Sequence, residues 1–202
     1  MVEKGDYDLI EMCYGNIPNV LSELIRTAFI APEGKMFAVA DFSAIEARVL
    51  SWLAQEKWRL DVFNTHGKIY EASASLMFGV PIEQVTKGSD LRQRGKTAEL
   101  ALGYEGSVNA MEKMDKEKKL SKKEMYSIVA LWRRANPKIV EFWAEVNEKA
   151  IECVQTRKTK KVSCLVFEHD GTNLTIALPA GRKLYYRNPR ARPNRFGQTG
   201  IV

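Results

Sequence analysis

Residues 91–105 read Leu91-Arg92-Gln93-Arg94-Gly95-Lys96-Thr97-Ala98-Glu99-Leu100-Ala101-Leu102-Gly103-Tyr104-Glu105. Ser89 or Asp90 supplies a cap just upstream, which predicts a helix over about 89–104. Arg92, Lys96, Leu100 and Tyr104 recur every fourth residue. Four residues turn a helix by about 400°, so the stripe drifts only about 40° per step and all four side chains share a face. The two cations lie towards the N-terminal end, where the helix dipole favours an anion. A triphosphate fits there, with its base towards Leu100 and Tyr104 and Lys96 placed to protonate a leaving pyrophosphate. A basic solvated face, or ordinary packing by Leu100 and Tyr104, explains the same pattern. Gly95 and Gly103 each cost this helix about 1 kcal/mol against alanine. Bending or close packing of the helix would explain their presence.

Upstream, Pro32-Glu33-Gly34 marks a turn, and Met36–Asp41 (MFAVAD) reads as a short buried strand. Ser43 and Glu46 have the spacing of a capping box for a following helix with Ile45, Val49, Leu50, Trp52 and Leu53 on its apolar face. Asp41 thus stands at a strand end, held as a hard cation such as Mg²⁺ requires of its few protein oxygens. A two-ion phosphoryl-transfer site, with ions about 3.5–4 Å apart, needs more than one carboxylate. A plain strand-end polar residue or a helix cap accounts for Asp41 equally. A further helix is predicted at 68–78, closed by Gly79 and Pro81, and others at about 121–135 and 137–157, the last with Pro137 in its first turn. Lys113–Lys123 is a charged, solvated segment.

In combination these motifs resemble family A (DNA polymerase I-like) DNA polymerases. Asp41-Phe42-Ser43-Ala44-Ile45-Glu46-Ala47-Arg48 is similar to motif A, D-Y-S-x-I-E-x-R. Arg92 to Glu105 is similar to motif B, R-x-x-x-K-x-x-x-F-x-x-x-Y-G. The resemblance implies that Asp41 binds both catalytic Mg²⁺ ions, that the Phe42 backbone carbonyl reaches one, and that Glu46 is the steric gate against a 2′-hydroxyl. It implies that Arg92, Lys96, Leu100 and Tyr104 hold the incoming dNTP, with Lys96 also a catalytic proton donor. Tyr70 stands where the family has a triphosphate-contacting His, so a hydroxyl contact and simple packing are both open for it. Departures from the patterns are Phe42 for Tyr, Ala44 for Gln, Ala47 for Leu, Leu100 for Phe and Glu105 for Gly. Leucine at position 100 offers apolar contact without a ring to stack, and resembles a phage branch of the family.

Downstream, Val162–Phe167 and Leu174–Leu178 are predicted as a hairpin around His169-Asp170-Gly171-Thr172-Asn173. The family's third motif is His-Asp-Glu. Here Gly171 stands in the Glu position, and Leu178-Pro179-Ala180-Gly181-Arg182-Lys183-Leu184-Tyr185-Tyr186, which resembles a segment that precedes the third motif, follows the His-Asp pair instead. His169 and Asp170 therefore read as turn residues, and the third motif is expected beyond Val202. Arg182, Lys183 and Arg187, with Arg190, Arg192, Arg195, Tyr185 and Tyr186 around them, read as a DNA contact or as a flexible basic tail.

The fold class expected is α+β, mostly helical: partial palm strands, a helical fingers subdomain and a C-terminal β-hairpin. The expected divisions are 1–60 (partial palm), 61–160 (fingers) and 161–202 (hairpin and basic tail). The 202 residues are 45% hydrophobic and 28% charged, enough for a real core, and the net charge of +6 suits a polyanionic partner. Three cysteines without a C-x-x-C pair and two histidines argue against a disulfide framework and a zinc site. With no signal segment and no membrane-length apolar run, a cytoplasmic protein is expected. The partners expected are dNTP and a DNA primer-template, with a missing C-terminal palm supplied by another chain as one arrangement. An excised piece, a split gene product and a prophage remnant all fit, and the isolated chain is expected to be inactive. A non-catalytic nucleotide- or DNA-binding module is the alternative.

Overall fold

The computed structural model describes residues 2–115, 119–193, 197 and 199–202. They form two compact units, Met1–Ser43 and Ala44–Val202. In the first, α1 (Tyr7–Tyr14) is capped by Asp6, whose carboxylate accepts from the Leu9 amide, and ends at Gly15 with φ +82°. Asn16 caps α2 (Ile17–Leu24) in the same way. The turn expected at Pro32 forms, with the Lys35 amide donating to the Pro32 carbonyl at 3.0 Å.

The strand expected at Met36–Asp41 does not form: the segment is irregular, and Met36, Phe37 and Val39 are exposed. A strand needs ladder partners for its amides and carbonyls, and no strand of the described residues pairs with it. The helix that follows does not take Ser43 as its N-cap residue. Ala44, at φ +51°, is the N-cap residue, and its side chain offers no cap hydrogen bond. Helix α3 (Ile45–Ala54) therefore starts one residue later than the expected Ser43–Glu46 box requires, and Glu46 sits at its second position.

The second unit joins a helical part to a small sheet. The helices are α3, α4 (Lys57–Thr65), α5 (Ile69–Phe78), α6 (Asp90–Leu102), α7 (Val108–Met114), α8 (Lys122–Ala135) and α9 (Pro137–Thr156). Helix α3 belongs to this unit, packing on α4 and α9. Ser89 caps α6, accepting from the Arg92 amide at 3.2 Å, and Gly79 closes α5 at φ +66°. Ser121 and Glu124 form a capping box at the start of α8. Pro137 opens α9 as expected, and the buried Glu56 accepts from the Lys138 and Ile139 amides at 2.8 and 3.4 Å, capping the same helix from a distance.

Ala98, Leu102, Met111, Ile128, Trp132 and Ile139 are buried in the helical core, where Trp132 stacks on Trp143 with centroids 5.8 Å apart. A polar network runs through it. Fully buried Arg59 donates from both terminal nitrogens to the Glu99 carboxylate, from Nε to Ser51 Oγ at 2.8 Å, and to Asn136 Oδ1 at 3.0 Å. The Trp132 indole donates to Glu99 Oε1 at 2.8 Å. Each polar group thus meets a partner, the condition for tolerating a buried ion pair.

The sheet is an antiparallel meander, β1 (Lys160–Val162), β2 (Leu165–His169), β3 (Asn173–Ala177) and β4 (Lys183–Arg187), with one face packed on α9. A second pair, β5 (Ala191–Pro193) and β6 (Thr199–Ile201), follows. The expected hairpin is β2–β3. The class is α+β and mostly helical, as the pattern predicts.

Candidate functional site

The Arg92, Lys96, Leu100 and Tyr104 stripe forms as spaced. Lys96 is exposed, Leu100 is 41% exposed and Tyr104, just past the end of α6, is 71% exposed. The buried residues of α6 are Gly95, Thr97, Ala98, Glu99, Ala101 and Leu102. That split leaves the stripe open to a ligand.

Arg92 is engaged by its neighbours. Its Nε donates to Glu71 Oε1 at 2.7 Å, and its guanidinium carbon lies 5.6 Å from the Tyr70 ring centroid, a cation–π contact. The Arg92 hydrogen bond holds the Glu71 carboxyl below the usual range, overcoming the upward pull of partial burial. Lys96 makes no ion pair among the described residues.

Glu46 joins this group from α3. Partial desolvation first, then the charge and hydrogen bonding of Glu46, push the Tyr104 phenol up. Tyr70 is also pushed up, by burial first and then by Glu99, with Glu46 and Glu71 adding to the shift and Arg92 opposing it. Glu46, Tyr70, Arg92 and Tyr104, drawn from three segments of the sequence, thus share one electrostatic neighbourhood. Tyr70 lies on α5, so its position depends on how closely α5 and α6 approach. Gly95 sets that approach, for a Cβ built on it would lie 2.4 Å from the Tyr70 carbonyl oxygen. Of the two explanations for the helix glycines, close packing is the one this geometry supports at Gly95.

Glu105 has φ +59°. Where motif B carries Gly the backbone here is left-handed, a conformation glycine adopts without penalty. Asp41 and Phe42 belong to the first unit. Both are exposed, Phe42 at 78%, on the irregular segment. No group of three or more His, Cys, Asp or Glu side chains with metal-ligand geometry occurs among the described residues.

The Asp170 carboxylate is committed to its turn. It accepts from the Thr172 and Asn173 amides at 2.9 and 2.6 Å and from Asn173 Nδ2 at 3.0 Å, which holds its pKa down to about 2. Gly171 follows at φ +99°. This is the geometry of an Asx turn, as the sequence implied for His169 and Asp170.

Lys183 and Arg187 lie on β4, an ordered edge strand rather than a flexible tail. Lys183, Tyr185 and Arg187 pair with Ala177, Thr175 and Asn173 and share one face, and all are exposed. Lys183 is ion-paired to Glu168 at 2.7 Å, so part of the expected cationic surface is neutralised. Arg182, just before β4, is exposed. An open polar cleft of about 450 Å³ runs beside Lys183 and Tyr185, with Arg157 and His169 on its walls. Arg195 lies outside the described residues. The residues that sequence reasoning missed are Glu71, which holds Arg92, and the buried set of Arg59, Glu99 and Glu56. Charged residues at apolar-looking helix positions were the available signal.

The family model described as DNA polymerase family A matches residues 14–173. The chain is 52% identical to a DNA polymerase of Bacillus phage SP02 over 205 aligned positions, covering all of this chain and 32% of the phage protein. It is 33% identical to the thermostable DNA polymerase I of Thermus aquaticus over 126 positions, 61% of this chain and 14% of that protein. It is 38% identical to DNA polymerase I of Pseudomonas aeruginosa over 91 positions, 44% of this chain and 10% of that one. The chain therefore spans a third or less of the length of these relatives.

Proposed function

The chain belongs to DNA polymerase family A, and from that premise we propose that its α6 face holds the incoming dNTP in an enzyme that extends a primer 3′-hydroxyl on a DNA template. The observation that carries this is the gathering of Glu46, Tyr70, Arg92 and Tyr104 around a stripe that also bears exposed Lys96 and Leu100. Arg92 and Lys96 meet the triphosphate, Leu100 gives the base an apolar surface, and Tyr104 with Glu46 borders the sugar. Tyr70 supports Arg92 through its ring. Lys96 is the group on this face positioned to give a proton to departing pyrophosphate. The palm assignment of the first unit and the fingers assignment of the α5–α6–α8 helices belong to the same proposal.

Family A chemistry draws on divalent metal, which supplies charge stabilisation for nucleotidyl transfer. Mg²⁺ takes one or two protein carboxylates together with substrate oxygens and water. The exposed Asp41 carboxylate and the Phe42 carbonyl suit a single such contact. They do not make a two-ion site, and the described residues add no acidic cluster. Nucleotide binding by the α6 face is the part of the reaction that we propose for the chain's own residues. Primer extension by the 202-residue chain alone is expected to be absent.

Arg182, Lys183 and Arg187 are proposed to contact the DNA backbone, with Arg182 and Arg187, which make no ion pair among the described residues, contributing more than Lys183, which is paired to Glu168. A cytoplasmic location fits the free thiols of Cys13, Cys153 and Cys164 and a DNA substrate. No helix among the described residues is long and apolar enough to cross a membrane.

Labelled dNTP titrated into the chain and into Lys96→Ala tests the reading. Loss of a charge-assisted phosphate contact, about 1.5–3 kcal/mol, weakens binding by about 10- to 100-fold. Equal affinity in the two proteins, or no saturable binding by the parent chain, refutes it. For DNA, Arg182→Ala with Arg187→Ala is expected to reduce the slope of log affinity against log salt by about one per lost contact.

A further inference from the structure

The α6 stripe is useful only if the helix is held at one rotation about its axis. Cavity filling alone does not ensure this, because the buried face of α6 is largely small: Gly95, Thr97, Ala98 and Ala101. Small side chains let helices approach but resist rotation weakly. Glu99 differs. It is one residue, about 100° of helix turn, from Leu100, and its carboxylate points inward to a fully buried arginine on α4. Arg59 grips both oxygens as a fork, and the Trp132 indole on α8 holds Oε1. Arg59 is itself oriented by Ser51 of α3 and by Asn136 at the head of α9, and Asn136 Nδ2 donates to the Trp132 carbonyl at 2.7 Å. Four helices thus converge on the one long polar side chain that α6 buries.

We infer that the Arg59–Glu99 pair is a positioning device for the nucleotide face, setting the rotation of α6 so that Arg92, Lys96 and Leu100 point together at the ligand. This rests on the nucleotide reading above. Arg59 and Glu99 touch no ligand in this scheme. They act through the helix that carries the contacts. A planar guanidinium on a carboxylate is directional in a way that apolar packing is not. A buried ion pair is a weak contributor to stability compared with apolar residues of similar volume, so registry is the role it serves best. Glu99 also bears on the face directly, since its charge acts on Tyr70.

The test separates position from stability. Arg59→Met combined with Glu99→Gln removes both buried charges together. The new amide keeps an oxygen for the Trp132 indole and offers its N–H to the Asn136 oxygen that Arg59 leaves. Spin labels at Gln93 on α6 and Asn147 on α9, both exposed, report the helix position once Cys13 and Cys164 are replaced by serine. With folding retained, the label-to-label distance is expected to shift or broaden by about 2 Å, the displacement from a rotation of about 20° at side-chain radius. Labelled-dNTP Kd is expected to rise about tenfold or more, as misplacement of about 1 Å is costly at such sites. Arg59→Lys, which keeps the charge and loses the fork, is expected to move both readouts in the same direction by less, and it is read by the same criteria if the double variant does not fold. A folded variant with the parental distance distribution overturns the inference, as does a shifted distance with unchanged Kd. Failure of the parent chain to bind dNTP strikes the nucleotide reading instead, and the distance measurement still decides whether the pair positions α6.

Discussion

Replacing Gly95 by alanine sets two physical effects against each other. In an isolated helix the change is favourable by about 1 kcal/mol. In this fold the new methyl would stand 2.4 Å from the Tyr70 carbonyl oxygen and 3.0 Å from Ala74 Cβ. Ordinary contact is about 3.5 Å, so α5 and α6 must part by about 1 Å. The first obstacle is backbone and cannot swing aside, which puts the overpacking cost in the upper part of the usual 1–3 kcal/mol. After the gain in helix propensity the net loss is about 1–2 kcal/mol. For a unit of this size that lowers Tm by about 2–4 °C per kcal/mol, so a drop of about 2–8 °C is expected in thermal melts followed by circular dichroism. Gly79→Ala provides the comparison. Gly79 has φ +66° and nothing within 4 Å of a built Cβ, so that variant incurs only the left-handed backbone penalty of about 1–2 kcal/mol. Because Tyr70 supports Arg92, Gly95→Ala is also expected to weaken dNTP binding. A Gly95→Ala chain that melts at or above the parent temperature would show that propensity wins, and would refute the close approach of α5 to α6 on which this reasoning depends.

Glu56→Ala removes the carboxylate that accepts from the Lys138 and Ile139 amides, and a loss of about 1–2 kcal/mol in urea unfolding is expected from the uncapped start of α9; an unchanged midpoint contradicts it. Glu105→Gly relieves about 1–2 kcal/mol of left-handed backbone at φ +59° and gives back about 0.5–1 kcal/mol through the freer unfolded chain, so Tm is expected to rise slightly, and a fall would argue that the Glu105 side chain matters. Acid should destabilise the fold in a defined window. Glu124, held down by Ser121 and then Arg94, Glu152, held down by Lys160 and then Lys149, and Asp170, held down by Asn173 and then Thr172, sit at about 2 against ordinary values of 4.5, 4.5 and 3.8. Depressed carboxylates bind fewer protons folded than unfolded, so their contribution is complete above about pH 4.5 and is lost as pH falls towards 2. A Tm that stays flat between pH 5 and 2.5 is the contrary result.

Much of this was legible in the residues. The helices at 69–78, 90–102, 122–135 and 137–156 follow from apolar spacing and from cap residues such as Ser89, Gly79 and Pro137, all local signals. The β2–β3 hairpin and the turn role of Asp170 are local too. The strand misread at Met36–Asp41 is instructive for the same reason. A run of Val, Phe and Ala satisfies strand propensity, but a strand exists only with a neighbour to bond, and propensity does not say where that neighbour is. The N-cap misread at Ser43 turned on one backbone angle, φ +51° at Ala44. The sheet beyond the hairpin was hidden because β4 is exposed along its length and lacks alternating burial.

By itself the sequence determined the four-residue stripe from Arg92 to Tyr104 and membership of a polymerase family, because helical period and motif spacing are properties of neighbouring residues. Only the tertiary structure decided that Glu46 stands beside Tyr104, that Glu71 and Tyr70 hold Arg92, and that Glu99 is gripped by Arg59 from 40 positions away. Contacts across that separation leave no periodic trace in the chain. They arise when helices pack closely enough, as Gly95 permits, for buried charges to be satisfied in one arrangement and in few others.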